Sequence, residues 1–222
     1  MKILSAFYLT SPSLPIGAFA YSQGLESAIE RGHVTDRTSL TEWSTHYLRY
    51  GLARLDVPML RRLYQAFERG DATEAEALNG EVLAMRETRE FYDEEVNLGR
   101  SLRRVIRSQQ SHLQLTDLQW AIDHPSLGFL AGFALLGHGL ELDEEMVIAS
   151  FLWSWLDNQV TVACKSIPLG QTDAQGVLLD GRATIKAILE TPDTVDAQLS
   201  SLPGAALLSA LHEEQYSRLF RS

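Results

Sequence analysis

Six histidines, one cysteine and 29 acidic side chains are the groups from which this 222-residue chain would have to build hydrolytic, metal-dependent or nucleophilic chemistry. A hydrolytic metal helix needs two histidines one turn apart with a glutamate between them, so that both imidazoles reach one ion from the same face. His212-Glu213 opens that pattern, but Tyr216 stands where the second histidine belongs. His33, His46, His112, His124 and His138 are scattered, with no pair at ligand spacing, and read as isolated surface or core residues. A phosphate-cradling loop needs Gly-Lys-Ser or Gly-Lys-Thr after a glycine and four residues. The stretch Gly170 to Gly176 has the wrong length and runs into Val177.

A cysteine nucleophile needs a histidine base and an electropositive pocket to lower its pKa. Cys164 follows Val160, Val162 and Ala163 on an apolar segment, with Lys165 beside it, and reads as a buried structural cysteine. Glu87, Glu90 and Glu94 fall at helical spacing beside Arg86 and Arg89, the pattern of a solvated face with local ion pairs. Arg100, Arg103, Arg104 and Arg107 form a positive stripe at i, i+3, i+4 and i+7, which reads as a solvated face or as a docking surface for an acidic partner. No catalytic constellation emerges.

The composition narrows the partners. A formal charge of −10 works against attraction to nucleic acid or to anionic membranes. With 45% hydrophobic residues the chain can bury a core, and a lone cysteine forms no internal disulfide, which suits a reducing compartment such as the cytoplasm. Lys2, the apolar run Ile3 to Leu9 and Ala18-Phe19-Ala20 resemble a secretory signal, but Pro12, Pro15 and neighbouring hydroxyl residues interrupt the apolar region. The apolar runs Leu127 to Leu140 and Met146 to Leu156 fall short of the roughly 20 residues that cross a bilayer.

Any functional residue must be positioned by helices, because apolar residues recur at three and four along nearly the whole chain. The spacing predicts an all-α, single-domain bundle of eight to ten helices over residues 1–222, with a structured loop over 1–25 and a flexible tail over 212–222. A short helix runs from Ser22 to Arg31, and Ser39-Leu-Thr-Glu42 has capping-box spacing for the next. Asp56 is a cap candidate, and Asp71 with Glu74 caps a charged helical stretch to about Gln110 that Gly80 and Gly99 mark for a bend or break. Gly128 and Gly132, one turn apart, mark a tight packing surface, and Asp143 caps an apolar helix to about Lys165. A helix spans Asp173 to Glu190, a surface loop Thr191 to Pro203, and a last short helix lies near Leu207.

The stretch SPSLPIGAFAYSQGLE, Ser11 to Glu26, has two prolines, two glycines and no charge before its last residue. Fixed φ at the prolines argues for a rigid apolar loop, which either the protein's own core or a partner must cover. Extended to Val34, it closely resembles the N-terminal signature of the urease accessory protein UreF family, S-x-x-L-P-[VI]-G-[GA]-[FY]-x-[YW]-S-x-G-L-E, with Ala18 where many members have glycine. DVPML (56–60), RETRE (86–90), CKSIPLGQTDAQ (164–175) and HEEQYSRLFRS (212–222) resemble later signatures of that family in the same order.

The resemblance implies an all-α cytoplasmic protein, usually a homodimer and not an enzyme. It implies a complex with UreD (also called UreH) and the GTPase UreG that delivers nickel to apo-urease, the nickel being handled by the complex and no cofactor being tightly bound to this chain. The partner-binding residues it marks are Pro15, Gly17, Tyr21, Ser22, Gly24, Glu26, Lys165 and Gln171, with Glu26 and Lys165 toward the GTPase, and Tyr216, Arg218, Leu219, Phe220 and Arg221 in a tail that docks UreD. Read from physics alone, Glu26 favours the first turn of its helix and Lys165 complements a helix C-terminus. Tyr, Leu and Phe beside arginines suit a tail that frays when free and orders on a partner. The competing readings are a small helical hydrolase using Cys164 and a direct nickel carrier.

Overall fold

In the computed structural model, which describes residues 2–115, 118–191 and 202–221, every regular element is helical. Among the described residues the α-helices are α1 (Lys2–Leu9), α2 (Leu25–Glu30), α3 (Arg37–His46), α4 (Asp56–Glu68), α5 (Ala72–Ala84), α6 (Arg89–Ser108), α7 (Gln119–Asp123), α8 (Phe129–Gly139), α9 (Glu144–Ser166), α10 (Gln171–Leu189) and α11 (Pro203–His212). Short 3-10 turns at Ala18–Ala20 and Gln110–His112 and a π-helical stretch at Tyr47–Leu52 complete the list. Most of the loop expected over Thr191 to Pro203 lies outside the described residues. None of the described helices is long and apolar enough to cross a membrane.

Contacts gather in two compact units interleaved along the chain. The first comprises Met1–Gly17, Asp56–Glu87 and Tyr92–Phe151. There α4 packs on α5 and α8, and α1 also lies on α8. Leu60, Leu63 and Phe67 supply the apolar face of α4 that their spacing predicts, and Phe133 of α8 meets Phe151 edge-on at 5.8 Å. The small residues of α8 mark a close-packed surface, as expected: a Cβ built on Gly132 would lie 3.2 Å from Leu102 Cβ. Asp71 accepts a hydrogen bond from Glu74 N at 3.0 Å and Asp143 one from Met146 N at 2.9 Å, so both caps form.

The charged stretch after Asp71 breaks at neither Gly80 nor Gly99 but between α5 and α6, where Arg86 turns inward. Its guanidinium lies 2.8 Å from Asp56 Oδ1 and 2.7 Å from Glu95 Oε2. Asp56 is therefore a buried ion partner at the start of α4, whereas its position suggested a cap. Burial works against the charge on Arg86, but Asp56 and Glu95 outweigh it and push the guanidinium pKa up. The other oxygen of Glu95 accepts from Leu130 N at 2.7 Å. Gly99 is needed for close approach, since a Cβ there would stand 2.2 Å from Leu127 O and 2.5 Å from the carbonyl carbon of Gly128.

The expected acidic face is corrected by the same helix. Glu87 is exposed, but Glu90 and Glu94 are buried, because α6 is covered on the side that carries them. The arginine stripe divides: Arg103 donates to His124 O at 2.7 Å and Arg107 pairs with Asp123 at 2.8 Å, while Arg100 and Arg104 stay exposed with partners on their own helix.

The second unit comprises Ala18–Leu55, Thr88–Phe91 and Leu152–Ser222. In it α3 packs on α10 and α2 on α11. Helix α3 starts earlier than Ser39 suggested. Asp36 accepts from Ser39 N at 2.9 Å, Ser39 Oγ accepts from Asp36 N at 3.1 Å, and the capping box is therefore Asp36 with Ser39. Leu25, Ala28, Val34 and Leu40 form one core with Val160, Val162, Ala174, Val177 and, from the far end of the chain, Phe220.

Candidate functional site

Residues 18–26 are fixed in the second unit by side chains of α9. Asn158 Nδ2 donates to Tyr21 O at 2.8 Å, and Gln159 Nε2 donates to Ser22 O at 3.1 Å. The side-chain oxygen of the fully buried Gln159 accepts in turn from Trp43 Nε1 at 3.0 Å. Trp155 Nε1 donates to Gln23, a residue held at φ 54°. Tyr21 and Ser22 are thereby buried, and Gly24, at φ 85° with Ala205 O 3.3 Å from where a Cβ would sit, lets the chain enter α2 against α11. Of the two ways to cover the apolar loop, its own unit covers Tyr21, while Phe19 remains 58% exposed.

Glu26, on the buried face of α2, faces the C-terminal segment. One of its carboxylate oxygens accepts from Leu219 N at 2.6 Å; the other accepts from Phe220 N at 2.9 Å and meets His212 Nε2 at 3.0 Å. His212 ends α11 with no solvent exposure, and its Nδ1 lies 2.9 Å from Glu90 Oε1. Glu90 also meets the Arg218 guanidinium at 3.3 Å. Thr88 Oγ1 accepts from Phe91 N at 3.1 Å and lies 2.8 Å from Ser209 Oγ, which fixes the start of α6 in this unit. Burial alone would make His212 less basic, but its hydrogen bonds to Glu90 and Glu26, and then their charges, reverse this and push its pKa up.

Residues 213–221 consequently fold back onto this unit after His212. Phe220 reaches the core, Lys165 Nζ stands 5.7 Å from the centre of its ring, and Arg221 N donates to Ala20 O at 2.8 Å. The backbone amides of Leu219 and Phe220 find a buried carboxylate, and the Phe220 side chain packs into the core, so the segment is held against the body of its own unit. Tyr216 and Leu219 are left facing solvent.

The structure thus brings together Tyr21, Ser22, Gly24, Glu26, Lys165, Arg218, Leu219, Phe220 and Arg221 in one unit. Tyr216 belongs to the same tail, and Gln171 is the exposed first residue of α10 in that unit. Pro15, exposed, and Gly17 lie in the first unit. Glu90, His212 and Gln159 are the residues that reading the sequence missed. Their partners lie up to 186 residues away, so no local pattern betrays them.

No group of three or more metal-ligating side chains is assembled among the described residues, and both nitrogens of His212 are occupied by carboxylates. Cys164 is exposed, contrary to the buried position expected, because it lies on the outer face of α9 beside Lys165. Desolvation pushes its thiol pKa up, which keeps it protonated and a poor nucleophile.

A protein-family model described as UreF matches residues 34–182. The chain is similar along its full length to the urease accessory protein UreF of Chromohalobacter salexigens, with 46% identity over 224 residues covering 100% of this chain and 95% of that protein. The corresponding protein of Pseudoalteromonas translucida is 41% identical over 100% of this chain and 95% of its own length, and that of Azoarcus sp. 36% identical over 100% and 96%.

Proposed function

This chain belongs to the UreF family of urease accessory proteins, and we propose that it is a non-catalytic adaptor that joins UreD (UreH) to the GTPase UreG for nickel insertion into apo-urease. Nickel is cargo of the assembly in this reading, and the chain carries no resident cofactor. The protein works in the cytoplasm as a homodimer, and its C-terminal tail docks UreD while the surface around α2 and Lys165 meets the GTPase.

The observation that carries this reading is the anchored tail. Phe220 and the Glu26 carboxylate hold the segment from beneath, so that Tyr216 and Leu219 are presented to solvent at little ordering cost. Preorganised aromatic and aliphatic side chains beside arginine are the makings of an interface, whereas a substrate pocket would need convergent reactive groups.

The test is co-purification of the full chain and of a variant lacking residues 214–222 with UreD and UreG, together with the nickel content of urease from cells expressing each. The deletion is expected to abolish the UreD step and leave urease without nickel. Wild-type association by the deleted form removes the tail from the interface, and normal nickel loading in cells lacking the whole chain overturns the adaptor role.

A further inference from the structure

His212 is the one histidine of the described residues buried between two carboxylates, and the placement of its ring fixes its charge by geometry. Nε2 is 3.0 Å from Glu26 and Nδ1 is 2.9 Å from Glu90. A neutral imidazole has one N–H and one lone pair, and it can satisfy only one of these contacts. Each carboxylate is otherwise surrounded by donors: Leu219 N and Phe220 N at Glu26, Arg218 and Ser209 Oγ at Glu90. The charged groups facing the ring are therefore Glu26 from α2, Glu90 from α6 and, through Glu90, Arg218 from the tail. Lys165 of α9 faces the neighbouring Phe220. With a protonated ring, two negative charges meet two positive ones; without that proton a net negative charge is buried.

We propose that the proton on His212 is the latch that holds the C-terminal segment, and that residues 212–221 leave α2 as one unit when it is lost. Both carboxylates couple the ring to the tail, Glu26 through the amides of Leu219 and Phe220 and Glu90 through Arg218. Whichever ring nitrogen gives up the proton, its lone pair then faces a carboxylate that anchors the tail, so ring and anchor fail together. Repulsion between that lone pair and its carboxylate, with the unpaired charge, favours hydration of the cluster, which requires the tail to open.

The direction follows from linkage. A ring more basic in the closed form than in the open one stabilises closure fully below its open-form pKa and loses that effect as pH rises through the closed-form value. Opening should therefore increase tenfold per pH unit from roughly 6.5, the ordinary histidine value, up to the His212 midpoint, and level off above it. The latch operates in the isolated chain, whichever partner the tail meets, so its failure and failure of the adaptor role are separable.

The experiment is a proton–carbon NMR titration of the six histidine rings in the full-length protein, with amide hydrogen exchange measured at Leu219 and Phe220 over pH 6 to 9. Exchange is corrected for base catalysis and referenced to Leu60 and Leu63 of α4. His212 is expected to titrate above the ordinary histidine value of roughly 6.5, and tail protection to fall at least tenfold within that window while α4 stays constant. His212→Gln should leave the tail amides unprotected with no pH step, and Glu90→Gln should lower the His212 midpoint. A His212 midpoint at or below the ordinary value of roughly 6.5, or tail protection that does not change with pH, overturns the latch. If His212→Gln fails to fold, the wild-type titration alone decides.

Discussion

Replacing Arg86 by methionine tests the buried ion network directly. The substitution keeps an unbranched apolar stem but removes the guanidinium that lies 2.8 Å from Asp56 and 2.7 Å from Glu95. The side chains of the two carboxylates are only 9% and 3% exposed, so water does not replace the lost cation. Removing one member of a buried ion pair costs about 3–5 kcal/mol, because the surviving charge stays desolvated. At about 2–4 °C per kcal/mol for a chain of this size, the melting temperature should fall by roughly 6–20 °C. Far-UV circular dichroism during thermal and urea unfolding measures this. Adding Glu95→Gln to the variant removes one orphaned charge yet keeps an oxygen for Leu130 N, and should recover about 1–3 kcal/mol. A loss below about 1 kcal/mol in the single variant, or no recovery in the double, would refute the claim that charge pairing fixes this corner of α6.

The two glycines that the sequence marks alike should behave oppositely. Gly99→Ala should destabilise by about 1–3 kcal/mol or more, since its Cβ would meet backbone at 2.2 Å. Gly80→Ala, with open space around its Cβ, should stabilise by about 0.5–1 kcal/mol, and the pair of urea midpoints checks both. Cys164→Ala should change stability by less than about 0.5 kcal/mol, as an exposed substitution does. The reaction of Cys164 with iodoacetamide should quicken with alkalinity beyond pH 9, whereas a rate already maximal at pH 7 would contradict a protonated thiol.

Where an effect was local, the sequence displayed it. Asp71 and Asp143 cap their helices because a cap depends on a side chain and an amide three residues on, and the apolar face of α4 follows from spacing alone. The carboxylates were misread for the opposite reason. Glu90 has the helical spacing of a solvated residue, and its burial is made tolerable by His212, 122 positions later, with Arg218 and Ser209 beside it. Asp56 looked like a cap until Arg86 supplied a partner. The anchoring of the tail was not legible, because Glu26 holds it through backbone amides, which carry no side-chain identity. Cys164 was misplaced because its apolar neighbours in sequence point to another side of α9.

Glu95 and Gly99 lie one turn apart on α6, and each grips the entry to α8, the first through Leu130 N and the second by touching the carbonyl of Leu127. Glu95 also holds Arg86 with its other oxygen, so a change at Arg86 disturbs a side chain on which the first turn of α8 depends for a backbone hydrogen bond.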